Sequence, residues 1–552
     1  NMNEDVKKVM HNKNLGLIHK LIEQSGFKDK ELLNDLVSGF RTIGPLGACG
    51  EFEEAPVGAA PRKEDLFNVA KWSQKAVKGY LNRVSKGCWK AYRASLKEAR
   101  ENKLKGPFTA EQVTALLGPL WVPTPRFIIT QGEKERAIDD DSYFGQNATV
   151  TVPWRLVLGG VDEVTALAIT MVRNVNGEHW VRIALPDGGV LEGPLAEDWD
   201  FGGLKRLFGR LADMKGAYKQ LAGYPGHQFA SVVSVLDPAG EVRFFVALTL
   251  LFGQSAAVFG FNRVGKLLSV VSSRLADIVN SQYYDDFSLL EFEPLVDSAS
   301  DVFAKIFQLT GFELATDPAK DKPFSRVFEP LGVCLDLSKT EHGVVELKPK
   351  PSRIKQVKAE CSTYLQEDSL EHKEASSLVG KLRFLREGFF GRCGARALNR
   401  LQAHESAIET SPLSVDVRRS LEWLLGYFDR AGPRVINCAG GLEPLHLFTD
   451  GACEPEVVTV GGVLLEQDHL PEAFGEKVPS RIVRRWRSGR SWQVVAQAEL
   501  APVYIAAVMW GDRIKGRQIV VWLDQNAAKQ GLIKGYSPSL MSSEIIDVAL
   551  EA

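Results

Sequence analysis

Two adjacent carboxylates, Asp285 and Asp286, follow Tyr283 and Tyr284 at the end of the apolar run Leu267 to Val279, and a third, Asp213, stands about seventy residues upstream. Acids placed this way suit a two-metal nucleotidyl-transfer site. Attack of a 3′-hydroxyl on a triphosphate uses two divalent ions roughly 4 Å apart, one acidifying the nucleophile and one neutralising the departing pyrophosphate. Hard cations take carboxylate oxygens, so the expected ions are two Mg2+, or Mn2+.

These acids need elements to carry them. Tyr283 to Asp286 reads as the turn between two strands, and Asp213-Met-Lys-Gly-Ala-Tyr-Lys219 places Asp213 at a strand edge with Tyr218 five positions on. Residues 204 to 333 alternate helix and strand as one α+β unit. Within it, Asp237-Pro-Ala-Gly240 marks a hairpin turn between Phe229–Leu236 and Glu241–Leu248. Upstream, Thr109 and Gln112 form a capping box for a helix ending near Gly118, and Arg126 to Gln131 is strand-like. Asn176-Gly177 and Pro186-Asp-Gly-Gly189 are hairpin signals that predict a small antiparallel insert over 165–193. Residues 367–430 are helical in pattern and include Leu378-Val-Gly-Lys-Leu-Arg-Phe-Leu385. Residues 1–43 have helical periodicity, and Gly44 to Pro61, rich in Gly, Ala and Pro, predicts a linker and a boundary.

At 552 residues the chain exceeds a single core, and three or four domains are expected. The 45% hydrophobic and 25% charged shares are those of a soluble globular protein, with no membrane-spanning run. Seven scattered cysteines predict reduced thiols in an intracellular setting, cytoplasmic or nuclear. The net charge of −2 hides local asymmetry: Arg62 to Lys105 holds thirteen Lys or Arg against four acids, interleaved with Trp72, Tyr80, Trp89 and Tyr92. A second cluster, Arg481, Arg484, Arg485, Arg487 and Arg490, surrounds Trp486. Such patches can follow a phosphate backbone while aromatics offer stacking faces.

The order Asp213, Phe252-Gly-Gln-Ser255, Tyr283-Tyr-Asp-Asp286, Gly311-Phe-Glu-Leu314 with Lys320 and Lys322, then Leu331-Gly-Val333 resembles the palm of reverse transcriptases. The resemblance implies that Asp213 and Asp285 bind metal, with Asp286 as a more peripheral third acid. It implies that Tyr218 excludes a ribose 2′-hydroxyl and that Gln254 positions the template base or nucleotide. Arg136, within Lys134-Glu-Arg-Ala-Ile-Asp139 and followed by Asn147, resembles the arginine that clamps triphosphate oxygens, a task its planar fork suits. Lys322, or else Lys320, resembles the lysine that protonates pyrophosphate, and Leu331-Gly332 the primer-grip turn. Tyr284 stands where viral members carry a smaller or more flexible residue. Together with Phe252-Gly-Gln-Ser, Phe261-Asn-Arg263 and Val379-Gly-Lys-Leu-Arg-Phe, it resembles retrotransposons of the tyrosine-recombinase, DIRS-like type.

Further on, Phe448-Thr-Asp450-Gly-Ala and the strand pattern after Gly461-Gly462 resemble the opening of a ribonuclease H domain. The resemblance implies that Asp450, Glu499 near a helix start and Asp524 at a strand end converge on two metal ions to hydrolyse RNA in a hybrid. The family adds a fourth acid after another strand. Asp547 lies in a helix-like segment and is not assigned to that place, so the domain is expected to be truncated, as in a piece of a polyprotein. The implied architecture is α+β and multidomain, a right-hand polymerase followed by a partial ribonuclease H-like α/β domain. Its expected divisions are a helical basic N-terminal region at 1–105, fingers and palm at 106–345, a helical thumb and connection at 346–440, and the ribonuclease H-like domain at 441–552. The implied activity is RNA-directed DNA polymerisation from dNTPs, with RNA template, DNA primer and RNA–DNA hybrid as partners. Two alternatives stand beside it: a non-catalytic nucleic-acid-binding remnant of a decayed retroelement, and a polymerase of group II intron or telomerase-like lineage.

Overall fold

The computed structural model describes all residues except 1, 86–88, 132–133, 175–179, 186–187, 195–205, 318–320, 387–390, 408, 431, 439–442, 489–493 and 552. Asn176-Gly177, Lys320 and Arg490 therefore lie outside the described residues. The chain forms two compact units, one of Asn1–Gly160 with Gly209–Ser325, the other of Val161–Phe208 with Arg326–Ala552.

The first unit opens with α1 (Glu4–Met10), α2 (Leu15–Gln24) and α3 (Leu32–Ser38). Asn3 and Asn14 cap the first two through their side chains, satisfying amides that a helix start leaves unpaired. Two long basic helices follow, α4 (Leu66–Ser85) and α5 (Lys90–Arg100). In α4, Leu66, Ala70, Ser73, Val77, Leu81 and Ser85 recur every three or four residues and are buried, which turns Lys71, Trp72 and Lys75 outward. Strand β1 (Leu104–Phe108), helix α6 (Ala110–Leu117), and strands β2 (Pro123–Gln131) and β3 (Lys134–Asp139) come next. The Thr109–Gln112 capping box is present at the start of α6.

The chain then supplies α7 (Val161–Asn174) and the hairpin β4 (Trp180–Ala184) and β5 (Val190–Pro194) to the second unit. The insert expected over 165–193 is thus half helix, because Val161, Val164, Thr165, Ala168 and Val172 give this stretch a 3.6-residue apolar stripe. Strand β6 (Leu207–Asp213) carries the chain back, followed by β7 (Val232–Leu236) and β8 (Val242–Ala247). After them come α8 (Ser255–Ala276), β9 (Val279–Tyr283), β10 (Asp286–Phe292) and α9 (Val296–Thr310).

Two sheets result in the first unit, a five-stranded one in the order β1-β8-β7-β2-β3 and a three-stranded one in the order β6-β10-β9. Fourteen residues of α8 are buried, far more than one face of a surface helix needs, so it runs through the core. Phe261 and Val264 of α8 pack with Phe287, Phe303 and Phe307, and with Val6, Ile18, Phe27 and Leu36 of the N-terminal helices. Residues 1–43 are therefore part of this core. The boundary expected at Gly44–Pro61 is absent, since Pro45 bridges Thr151, Glu54 bridges Trp154, and Trp154 stacks on Phe52 at 5.0 Å. Composition suggested a linker because Gly and Pro serve a packed irregular segment as readily as a loose one.

In the second unit, β11 (Val327–Phe328), β12 (Val333–Asp336), β13 (Val344–Pro349) and β14 (Arg434–Asn437) form an antiparallel sheet in sequence order. Helices α10 (Pro351–Glu367), α11 (His372–Leu385), α12 (Ala395–His404) and α13 (Val415–Arg430) share a core that includes Leu378, Leu382, Leu401, Leu421 and Leu424. Thr340 Oγ1 accepts a hydrogen bond from Leu207 N at 3.2 Å, tying the inserted segment to this unit. A last sheet has the order β17-β16-β15-β18, from β15 (Leu445–Cys453), β16 (Val458–Leu465), β17 (Glu472–Lys477) and β18 (Ile519–Trp522). Strands β15 and β16 are antiparallel and β15 and β18 parallel. The crossover between β16 and β18 contains α14 (Ser480–Arg487) and α15 (Val495–Met509); α16 (Asn526–Lys534) and α17 (Leu540–Glu551) follow β18. Among the described residues no helix is long and apolar enough to cross a membrane.

Candidate functional site

Tyr283 pairs with Asp286 across β9 and β10, leaving Tyr284 and Asp285 as a two-residue turn. Such turns match the twist of the strands when the first central residue has positive φ, and Tyr284 has φ 51°. A bulky residue there costs about 1–3 kcal/mol. Gln282 holds it by donating from Nε2 to the Tyr284 carbonyl at 2.7 Å. The Asp285 carbonyl accepts from Met214 N at 2.9 Å, so the end of β6, with Asp213, is fastened to this turn. The Asp213 carbonyl in turn accepts from Ala315 N at 2.7 Å.

Burial pushes the Asp285 carboxyl above its ordinary range, and Arg136 pulls it partly back. Arg136 is exposed on β3, so its guanidinium is open to an anionic ligand while its field reaches Asp285. Lost hydration and the neighbouring Asp285 push Asp286 up to about 6. The Tyr218 ring packs edge-on against Phe252 and Phe261, each 5.0 Å away, and burial with Asp285 pushes its hydroxyl to about 12. Three segments of the chain thus contribute: the end of β6 with Asp213 and the following Tyr218, the turn with Asp285, and β3 with Arg136; the carboxylates of Asp213, Asp285 and Asp286 do not form a close group of three.

Gln254 is fully buried; its Oε1 accepts from Leu251 N at 2.9 Å and its Nε2 donates to Ser231 Oγ at 3.0 Å, so its amide is engaged within the protein. Lys322 is exposed. Leu331 and Gly332 form a turn of two left-handed residues, φ 50° and 79°, in the second unit.

In the second unit, the carboxylates of Asp450, Glu499 and Asp524 each offer an oxygen, all within 4.8 Å of one another. Among the described residues no other group of three acidic, His or Cys side chains is so close. Strand β15 carries Asp450, the loop after the parallel strand β18 carries Asp524, and the second turn of α15 carries Glu499. The close approach depends on Gly451, where a Cβ would lie 2.5 Å from the backbone of Ala498, the residue before Glu499. Glu499 is 3% exposed, and its Oε2 is buried without a hydrogen-bond partner. Burial first, then the charges of Asp524 and Asp450, push its carboxyl up to about 7. Three mutually repelling acids, one with an unsatisfied buried oxygen, are the donor set a small divalent cation takes. Asp547 is outside this group and pairs with Arg396 at 3.1 Å.

Two further features differ from expectation. Trp486 is buried among Val458, Val460, Val478, Val494 and Ala498, so it offers no stacking face; the arginines of α14 surround a core residue, and Arg485 pairs with Glu544 at 2.8 Å. On the other basic segment Trp72 and Trp89 are exposed, with Arg93 over the Trp89 ring at 4.9 Å. The sequence reading also missed a buried ionic network. Arg126 is 0% exposed and makes paired bonds to Asp139 at 2.6 and 3.1 Å, while Glu98 of α5 accepts from Arg126 at 2.9 Å and from Lys219 at 3.0 Å. The one available hint was an arginine inside the otherwise apolar strand Phe127-Ile-Ile, which a buried strand tolerates only with a partner.

No protein-family model and no curated protein matches the chain. The chain is similar to a number of solved structures, among them three of a foamy viral protein. A foamy viral protease-reverse transcriptase in complex with dsDNA shares 13% identity over 96% of this chain and 90% of that one, with TM-score 0.42. A dRH form of the foamy viral protein with ds DNA shares 14% over 100% and 80%, at 0.41. The foamy viral protein with RNA/DNA hybrid shares 12% over 99% and 61%, at 0.41.

Proposed function

We propose that this chain is an RNA-directed DNA polymerase of a DIRS-like retroelement whose second unit also contains a metal-dependent, ribonuclease H-like centre. The observation that carries the polymerase reading is the hydrogen bond from Met214 N to the Asp285 carbonyl, which sets Asp213 beside the Tyr284–Asp285 turn. The subgroup rests on the sequence motifs around Phe252, Phe261 and Val379 and on Tyr284.

Asp213 and Asp285 would hold magnesium, with Asp286 at the margin. Divalent ions there supply Lewis acidity to the primer hydroxyl and the triphosphate. Arg136 binds the anionic phosphates of the dNTP with its exposed fork. Tyr218, braced by two phenylalanine rings, presents a rigid face that excludes a 2′-hydroxyl. Lys322 stands as the proton donor to pyrophosphate, and Gln254, its amide engaged internally, acts by fixing the loop before α8. Leu331 and Gly332 support the primer. In the second unit Asp450, Glu499 and Asp524 fit a divalent ion, and cleavage of RNA in a hybrid is the reaction such a centre suits.

The test is extension of a DNA primer on an RNA template with dNTPs and Mg2+. Asp285→Asn removes one carboxylate oxygen's charge with little change in shape, so incorporation should be abolished while template binding persists. Unchanged incorporation would reject the polymerase. Template binding without extension by the unmutated chain would favour a non-catalytic remnant.

A further inference from the structure

Four largely buried ions of the first unit, Lys219, Glu98, Arg126 and Asp139, link the segments that carry the proposed nucleotide-binding residues. Lys219 directly follows Tyr218, and its Nζ donates to Glu98 at 3.0 Å. Glu98 also accepts from Arg126, which holds Asp139 at the end of β3. Asp139 N donates to the Phe252 carbonyl at 2.9 Å, and the Phe252 ring packs on Tyr218 at 5.0 Å. Arg136 lies three residues before Asp139 on the same strand. The circuit therefore joins the residue that would choose the sugar to the strand that would hold the phosphates.

Its members are rigidly set. Arg126, Asp139 and Lys219 are at most 7% exposed, and Ser95 accepts a further bond from Arg126 at 3.1 Å. Gly253 follows Phe252 with φ 111°, and a Cβ there would lie 1.9 Å from the Asp139 carbonyl, so strand end and loop touch backbone to backbone. Two cations and two carboxylates balance, and Glu98 is the member shared by both halves. Burial opposes its ionisation, but Arg126 and Lys219 outweigh burial and hold its pKa down to about 2.

We propose that Glu98, on a basic helix remote in sequence from every expected site residue, is a positioning residue for the incoming nucleotide, setting the distance between Tyr218 and Arg136. This rests on the polymerase reading. Uncharged truncation of one member leaves a buried charge without a partner, so the informative variants keep the balance. Glu98→Asp keeps the charge and withdraws it by one methylene. Glu98→Gln with Lys219→Met removes one charge of each sign.

Single-nucleotide primer extension with dNTP and with rNTP, beside primer–template binding and thermal denaturation, reads the outcome. Both variants should raise the KM for dNTP about tenfold and lower discrimination against rNTP by a similar factor. Changes in kcat should stay within about threefold, and primer–template affinity should hold. Folded variants with wild-type KM and discrimination would overturn the proposal. So would a fall in kcat for both nucleotides alike with KM unchanged, or failure of both variants to fold, since either assigns the circuit to stability alone. Absence of extension by the unmutated chain overturns the polymerase reading and this role with it, an outcome the unmutated control alone decides.

Discussion

Gly451→Ala tests whether the carboxylates of the second unit are a built cation site. A Cβ at this position would stand 2.5 Å from both the carbonyl carbon and oxygen of Ala498, about 0.9 Å short of the 3.4 Å where ordinary contact begins. Gly451 has no positive φ, so the substitution adds no backbone strain, and the obstacle is backbone, which cannot swing aside as a side chain can. Relief comes only by moving the start of α15 away from β15 by roughly 1 Å, at a cost of about 1–3 kcal/mol in stability. Glu499 follows Ala498 and moves with it, away from Asp450. A misplacement of that size in a group that supports metal ligands lowers affinity by about 10- to 100-fold. Calorimetric titration of the full chain with Mn2+ measures this, with Asp524→Asn as a reference that removes a ligand without steric push. Wild-type Mn2+ affinity in Gly451→Ala would refute the claim that strand-to-helix contact sets the site. Wild-type affinity in Asp524→Asn would show that no cation binds there.

Two other outcomes follow from the first unit. Tyr218→Ala should raise ribonucleotide incorporation about tenfold or more, because it removes the ring that packs on Phe252 and Phe261 and is proposed to meet the 2′-hydroxyl, and unchanged selectivity in primer extension would remove Tyr218 from that role. His227 is buried, accepts from Thr42 N at 3.2 Å, and is pushed down to about 4 by burial and by Lys63 and Arg41. The unfolded chain therefore binds the extra proton between pH 6.5 and 4. Stability is fully present above pH 6.5 and falls as pH drops through this window, by about 2 kcal/mol at pH 5 relative to pH 7. Urea denaturation of wild type and His227→Gln at both pH values checks it, and an equal pH dependence in the two would exclude His227 as the cause.

The parts of the molecule legible in sequence are those in which a local pattern decides the structure. The Tyr284–Asp285 turn follows from two strand patterns meeting at polar residues, and the Asp237–Gly240 hairpin and the Thr109 cap follow from turn and cap chemistry. Asp450, Glu499 and Asp524 were singled out by the motifs around them, and their carboxylates do converge. What was hidden depends on partners distant along the chain. Glu98 meets Lys219 across more than a hundred residues, and nothing in Lys97-Glu98-Ala99 marks that glutamate as buried. Trp486 was misjudged for a related reason: a tryptophan among arginines has the same spacing whether it faces a ligand or fills a core, and its neighbours from β16 decided the matter. Gly44–Pro61 carried the composition of a free connection, yet Pro45 and Glu54 are bridged to Thr151 and Trp154.

The excursion of residues 161–208 has a consequence for how the molecule can be made and cut. Because this stretch belongs with residues beyond 325, neither unit is a continuous length of chain. On the ribosome, the first unit has to wait for residues 209–325 before its core closes, while α7 and its hairpin emerge early and stay unsatisfied until the later half arrives. A single nick between the units would not release two independent products, and ending expression at residue 325 would strand a segment with nothing to pack on.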